Sequence, residues 1–105
     1  MQKAKQARLE SAGWRVGNAA DLLELSAEET AFVELKLALA DCLHETRRQQ
    51  GWTQGQVARR LGSSQSRVAK MEAADASVSL DLLVRALLTL GVSRAEVGRV
   101  VAKAA

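Results

Sequence analysis

The fold of this 105-residue chain is decided by residues 50–72, which read QGWTQGQVARRLGSSQSRVAKME. Thr53 and Gln56 have the spacing of a capping box, in which two side chains satisfy free amides in the first turn of a helix. They predict a short helix that ends at Gly62, because glycine readily adopts the left-handed conformation that follows many helices. One of the two serines after Gly62 can cap a second helix. The stretch therefore predicts two short helices joined across a Gly-Ser-Ser turn.

The two short helices carry apolar residues that can pack together. These are Val57, Ala58 and Leu61 in the first helix and Val68 and Met71 in the second. The outer side of the second helix is then polar and made mostly of short side chains, a surface that the major groove of DNA can admit. The residues on that side are Gln65, Ser66, Arg67, Ala69 and Lys70.

Similar signals predict three more helices. A capping box at Ser26 and Glu29 opens a long helix that runs to Gly51, and Ser79 caps a helix that ends at Gly91. A further box, Ser93 with Glu96, opens the last helix. In the long helix, apolar residues recur at spacings of three and four: Phe32, Leu35, Leu39, Cys42 and Leu43. In the next helix, the residues expected to face inward are Leu80, Leu83, Val84, Leu87 and Leu88, and the last helix carries Val97, Val100 and Val101 on one side. Together with an Ala- and Leu-rich composition, this pattern predicts an all-α domain of five helices.

The first 31 residues are not required by that domain. Residues 3–12 allow a helix that Gly13 stops, and residues 14–17 allow a brief strand. We therefore divide the chain into an N-terminal extension, residues 1–31, and a five-helix domain, residues 32–105.

Composition excludes several classes of function. One cysteine and one histidine, Cys42 and His44, cannot form an internal disulfide or a metal site of Cys and His ligands. We expect Cys42 to pack in the core and His44 to lie on the surface. The sequence contains no catalytic constellation and no glycine-rich phosphate loop, so we expect no enzyme, metal or cofactor. Apolar stretches are too short for a membrane span and the N-terminus lacks a signal core, which favours the cytoplasm.

Charge is distributed unevenly along the chain. Residues 1–46 hold five Lys/Arg and eight Asp/Glu, a net charge of −3, whereas residues 47–105 hold ten and four, a net charge of +6. No acidic residue lies between Glu45 and Glu72, a stretch that contains six basic residues. Such a block favours a polyanionic partner, although a basic solvated face without a partner would give the same pattern.

These features resemble the lambda-repressor-like, XRE-type helix-turn-helix family over roughly residues 33–92. The resemblance lies in Gly51-Trp52-Thr53-Gln54, Val57-Ala58, Leu61-Gly62-Ser63-Ser64-Gln65-Ser66, Val68, Lys70, Glu72 and Ser79-Leu80. It implies a double-stranded DNA operator as the ligand, read by the second short helix. One departure is the loop after Glu72, where many members have Gly and Pro but this chain has Ala74 and Ala76.

Roles for individual residues follow from the same resemblance. Gln54 would contact a phosphate and brace the reading helix, and Ser64 would cap that helix beside the DNA backbone. Base contacts are expected from Gln65, Ser66 and Lys70, contacts to base or phosphate from Arg67, and phosphate contacts from Arg59 and Arg60. Arg47 and Glu72 occupy positions where the family often holds an ion pair between the first helix and the end of the reading helix.

A narrower resemblance is to HigA-type antitoxins of bacterial toxin-antitoxin pairs. It lies in residues 13–17, Ala20-Asp21, Leu25-Ser26 and residues 64–72. It implies that the partner is a ribonuclease toxin, which we expect to be basic because the N-terminal third of the chain is acidic. The residues expected to bind it are Trp14, Val16, Leu22 and Leu23.

The sequence thus favours a homodimeric, sequence-specific transcriptional repressor. Dimerisation is expected through a small-residue stripe on the last helix, formed by Val97, Val101 and Ala104. The alternative is that this stripe only docks on its own subunit. A second class of function remains open, a protein-interaction module that masks a partner enzyme without specific DNA binding. Direct binding to single-stranded RNA is disfavoured, because the basic block contains only one aromatic residue, Trp52, which we expect in the core.

Overall fold

The computed structural model describes residues 26–104, together with residues 4, 7, 8 and 11. Residues 26–104 form five helices and no strand, which confirms the predicted all-α fold. None of the helices in this part of the chain is long and apolar enough to cross a membrane. The helices are α1 (Ala27–Gln49), α2 (Gln54–Leu61), α3 (Gln65–Glu72), α4 (Leu80–Thr89) and α5 (Arg94–Lys103).

Side-chain caps fix the helix starts as the sequence predicts. Ser26 and Glu29 form both halves of a capping box, and Thr53 and Gln56 form another. Ser64 caps α3, since its Oγ accepts a hydrogen bond of 3.2 Å from the amide of Arg67. The third predicted box is incomplete: the amide of Glu96 donates to Ser93 Oγ at 3.1 Å, but the Glu96 carboxylate turns to Arg99 Nε at 2.9 Å. A basic partner one turn along the helix therefore replaces the backbone amide of Ser93.

The core lies where α1 crosses the other helices. α1 packs against α3, α4 and α5, and α2 packs mainly against α3. The short-helix residues Val57, Ala58, Val68 and Met71 are buried as predicted, with Leu61 half-buried against the same core. Cys42 and Trp52 also pack partly against it. The buried core is completed by Leu39, Leu43, Val78, Leu83, Ala86, Leu87 and Leu90.

Leu88, which the sequence predicts to face inward, is 42% exposed. Phe32, at helical spacing with the apolar residues of α1, is 47% exposed. The buried positions on α1 are Val33, Lys36, Leu37, Leu39, Ala40 and Leu43. Because α1 is apolar on more than one side, helical spacing alone does not show which of its apolar residues are buried.

The upstream part of the chain is described only at single positions. Residues 4, 7, 8 and 11 are helical, and Arg8 pairs with Asp41 of α1 at 2.7 Å. The rest of the helix predicted at residues 3–12 and the brief strand predicted at residues 14–17 lie outside the described residues. α1 begins at Ala27 and runs across the expected boundary between residues 31 and 32.

The loop between α3 and α4 turns through a left-handed residue that is not glycine. Ala74 has a φ of 54° and is fully buried. A left-handed alanine costs roughly 1–2 kcal/mol, and burying its methyl group returns about 0.8 kcal/mol. Burial therefore offsets part of the cost of having alanine at this position.

Gly55 provides the first test of this architecture. It lies inside α2, and a Cβ added there would meet only Thr53 Oγ1, at 3.8 Å. Gly55→Ala should therefore raise the free energy of unfolding by about 0.5–1 kcal/mol, because the unfolded chain loses conformational freedom. The matched control is Gly62→Ala, which should lower it because Gly62 has a φ of 64°. Urea denaturation measures both, and a destabilised Gly55→Ala would contradict the packing described at this position.

Candidate nucleic-acid interface

The outer face of α3 is polar and exposed. Gln65, Ser66, Arg67 and Lys70 all lie on it, and the capping residue Ser64 is exposed just before them. The hydroxyl groups of Ser64 and Ser66 are 3.2 Å apart. The structure therefore brings together the residues from which base contacts are expected, on one helix that carries short side chains and two positive charges.

A groove runs beside this face. Its α3 wall contains Arg67 and Lys70, and its opposite wall is formed by the loop residues Ser77 and Val78 with Leu82 of α4. The sequence reasoning did not include these loop residues in the site. No local motif could have identified them, because only the turn through Ala74 brings them beside α3.

The other end of α3 is held by an ion pair. Arg47 Nε donates to Glu72 Oε2 at 2.6 Å and Arg47 Nη2 donates to Glu72 Oε1 at 3.0 Å. The side chains are 17% and 6% exposed, respectively. The same arginine donates through Nη1 to the carbonyl oxygen of Trp52 at 3.1 Å. Arg47 thus ties α1 both to the end of α3 and to the residue that precedes the cap of α2.

Two further side chains share the carboxylate of Glu72. Gln54 Nε2 donates to Glu72 Oε1 over a long 3.5 Å, so the predicted phosphate-binding glutamine contacts the end of α3. His44 Nδ1 lies 2.8 Å from the same oxygen, although 46% of the His44 side chain is exposed. The sequence reasoning placed His44 on the surface and missed this contact. Its position one helical turn before Arg47 was the available signal.

Electrostatics favours the ionised form of Glu72. Burial acts to raise the pKa of Glu72, but hydrogen bonds from Arg47, His44 and Gln54, together with the charge of Arg47, hold that pKa below its ordinary value. The pKa of Arg47 is raised in turn, mainly by its hydrogen bond to Glu72. The carboxylate is therefore charged at neutral pH, despite lying almost out of contact with water.

Arg59 and Arg60 are both exposed on the last turn of α2. The Arg60 guanidinium stacks on the indole ring of Trp52, with its central carbon 4.0 Å from the ring centroid. A cation held over an aromatic face is partly ordered before any ligand binds. The two arginines place positive charge on α2, the helix that precedes α3.

The three residues predicted to form a dimer surface are placed differently from one another. Val97 is half-buried against the domain's own core, and Val101 is 41% exposed. Ala104 is the C-cap of α5: its φ of −63° is helical and its amide donates to the carbonyl oxygen of Val100 at 3.1 Å, while its ψ is 121°. Val101 and Ala104 therefore keep their helical spacing, whereas Val97 is partly used by the domain's own core.

A second groove lies between α1 and α5 and carries acidic residues. Asp41, Cys42 and Glu45 line it from α1, and Glu96 and Val100 line it from α5. Trp14, Val16, Leu22 and Leu23, the residues predicted to bind a protein partner, lie outside the described residues. Within the described part of the chain, no cluster of three or more His, Cys, Asp or Glu residues could hold a metal ion.

Removal of the Glu72 carboxylate should be costly. Glu72→Ala leaves Arg47 with little water and no counter-charge, so it should lower the free energy of unfolding by about 3 kcal/mol at neutral pH. The control is Glu45→Ala, whose ion pair with Arg48 spans 3.8 Å between side chains that are more than half exposed. That change should cost below about 1 kcal/mol.

The difference between wild type and Glu72→Ala should also depend on pH. The pKa of Glu72 is lowered in the folded state, so its contribution is fully present above the ordinary carboxyl pKa. It is lost as the pH falls through the lowered value, and the two proteins should then converge in stability. Urea denaturation across a pH series measures this difference. A gap below about 1 kcal/mol at neutral pH, typical of an exposed pair, would contradict the assigned role of the pair.

Comparison with known protein families agrees with this geometry. A family described as helix-turn-helix matches residues 43–97, more than half of the chain, and the match contains α2, the turn and α3. Comparisons with curated proteins and with solved structures give no match. The chain belongs to the XRE-type helix-turn-helix family of DNA-binding regulatory domains.

Proposed function

We propose that the protein is a sequence-specific transcriptional repressor that binds duplex DNA through α3 in the cytoplasm. The observation that supports this most is the exposed face of α3, where Gln65, Ser66 and Lys70 stand together on a helix fixed at its far end by Glu72. Glutamine pairs with adenine and lysine with guanine through the major groove. Arg67, Arg59 and Arg60 add positive charge for the phosphates, and Ser64 and Gln54 mark the starts of α3 and α2.

The first test separates reading of the bases from attraction to the backbone. A preferred site is first selected from a library of random duplexes. Gln65→Ala and Lys70→Ala should then each lose about 1–3 kcal/mol of preference for that site over random DNA, while helicity stays unchanged. Binding isotherms by fluorescence anisotropy give the preference directly. If both variants discriminate as well as wild type, the base-contact assignment is wrong.

Arg59→Ala serves as the matched control for that test. It should weaken binding to all sequences alike and reduce the magnitude of the slope of log affinity against log salt by about 2, because each subunit of the dimer loses one phosphate contact. A dimer that neutralises about six phosphates would have a slope of roughly −5. A slope near zero in the wild type would contradict an electrostatic contribution to binding.

A homodimer is part of this proposal, because two reading helices would then meet half-sites one DNA turn apart. Val101 is the apolar residue of α5 that is left exposed, so Val101→Glu should shift the protein to monomer in sedimentation equilibrium. Ala95→Glu is the control, since Ala95 is exposed in the first turn of the same helix. A Val101→Glu protein that stays dimeric at micromolar concentration excludes this surface.

We further propose that the protein neutralises a basic ribonuclease toxin, as the narrower sequence resemblance implies. The groove between α1 and α5, lined by Asp41, Glu45 and Glu96, supports a basic protein partner, in line with the net charge of −3 over residues 1–46. A protein that only masked an enzyme would need the same acidic surfaces but not the exposed basic face of α3. The proposal that the protein binds DNA as well as a toxin therefore explains both the acidic groove and the basic face of α3, whereas masking alone explains only the former.

Deletion of residues 1–25 tests the toxin proposal. The truncated chain keeps the capping residue Ser26 and all five helices, so it should still fold and bind its selected DNA site. It should no longer capture the product of the neighbouring gene in a pull-down or rescue growth when that product is expressed. If the truncated chain rescues growth as well as the full chain does, the toxin-binding surface lies on the helical domain and not on residues 1–25.

A further inference from the structure

Lys36 is a lysine in the interior of the domain. It lies on α1 and is 3% exposed, on the helix face that also carries the buried residues Val33, Leu37 and Ala40. Lysine is almost never buried to this degree unless its charge is paired. None of the roles described above uses this residue, so its burial requires another explanation.

The ammonium group of Lys36 reaches the loop that follows α3. Its Nζ donates a long hydrogen bond of 3.5 Å to the carbonyl oxygen of Ala76. Burial lowers the pKa of Lys36, and the negative charge of Asp75 acts against that shift. The charge of Lys36 in turn helps to lower the pKa of Asp75, after the hydrogen bonds from Ser77 to that carboxylate. Lys36 therefore interacts with the carbonyl group of Ala76 and the carboxylate of Asp75, which lie about 40 residues later in the sequence.

The same loop holds Ser77 in place. Asp75 Oδ1 accepts hydrogen bonds from the amide and the hydroxyl group of Ser77, at 2.9 and 2.7 Å. The amide of Val78 donates to the carbonyl oxygen of Asp75 at 3.0 Å. Ser77 and Val78 then form the wall of the groove opposite Arg67 and Lys70. The position of the loop therefore sets the width of the groove beside α3.

We propose that Lys36 is a positioning residue of the DNA interface, which holds the loop of residues 73–79 against α1 through Ala76 and Asp75. In that position Ser77 borders the face of α3 that reads DNA. The inference deepens the proposed DNA-binding function and rests on it.

The charges on the loop support this role. Asp75 lies close enough to Lys70 and Lys36 for both to lower the pKa of its carboxyl group, although the hydrogen bonds from Ser77 have the larger effect. A carboxylate beside DNA repels the phosphates unless a positive charge offsets it. Lys70 on the surface and, to a smaller extent, Lys36 inside the domain both supply such a charge.

The decisive variant is Lys36→Met, which keeps the length of the side chain and removes its charge and donor. Two measurements are made: amide hydrogen exchange without DNA, and affinity for the selected duplex and for a random duplex of equal length. The control is Leu90→Ala. Leu90 is buried in the hydrophobic core at the C-terminal end of α4. The loop joins α4 at Leu80, ten residues earlier, which is about 15 Å away along the helix.

In Lys36→Met, exchange at the amides of Ser77 and Val78 should rise about tenfold relative to amides of α2, the effect of one hydrogen bond to a charged group. Affinity for the selected duplex should fall by a similar factor. Leu90→Ala should lower global stability and leave that affinity unchanged. Equal changes in exchange at all amides of Lys36→Met would overturn the positioning role, and faster loop exchange with unchanged affinity would overturn its connection to DNA.

Asp75→Asn provides a second variant in case Lys36→Met does not fold. It keeps an oxygen acceptor for Ser77 and removes the charge that faces Lys36, so exchange at Ser77 and Val78 should rise. Where Lys36→Met does fold, the two effects should not add in the double variant, because the charges of Lys36 and Asp75 act on each other. Additive effects would overturn the inference. A wild-type protein that binds no duplex, while its loop amides respond as expected, would instead show that the proposed function has failed.

Discussion

The carboxylate of Glu72 has lost nearly all of its water, with 6% of its side chain exposed. A charge in that position is stable only when protein donors replace the lost solvent. Those donors come from three sites in the chain: His44 and Arg47 on α1, and Gln54 at the start of α2. Because they converge on one residue at the end of α3, the requirement to satisfy a single carboxylate fixes the two short helices relative to α1.

The rest of the interface follows from that constraint. Once the end of α3 is fixed, its outer face can carry small polar side chains, since none of them is needed to hold the helix in place. Ser64 and Ser66 lose little side-chain entropy when they meet a ligand, compared with longer residues. Positive charge lies on that face at Arg67 and Lys70 and on the neighbouring helix α2 at Arg59 and Arg60.

Much of the helical framework could be predicted from local sequence. The capping pairs at Ser26 and Thr53 act over three residues, so they are visible in the sequence and correctly mark the starts of α1 and α2. The exposed position of Phe32 could not be predicted in this way. Its helix carries apolar residues on two sides, and the buried side is chosen by helices that come much later in the chain. The third box failed at Glu96 because a competing partner, Arg99, was available in the same helix.

His44 and Lys36 were missed for the same reason. The first contacts a residue 28 positions away and the second a residue 40 positions away, and no local pattern records such distances. Both lie on α1, eight residues apart, which is about 12 Å along a helix. One therefore holds the end of α3 and the other holds the loop just after it. Two attachments at separate points resist rotation as well as displacement, so α1 restrains both the position of α3 and the orientation of its outer face.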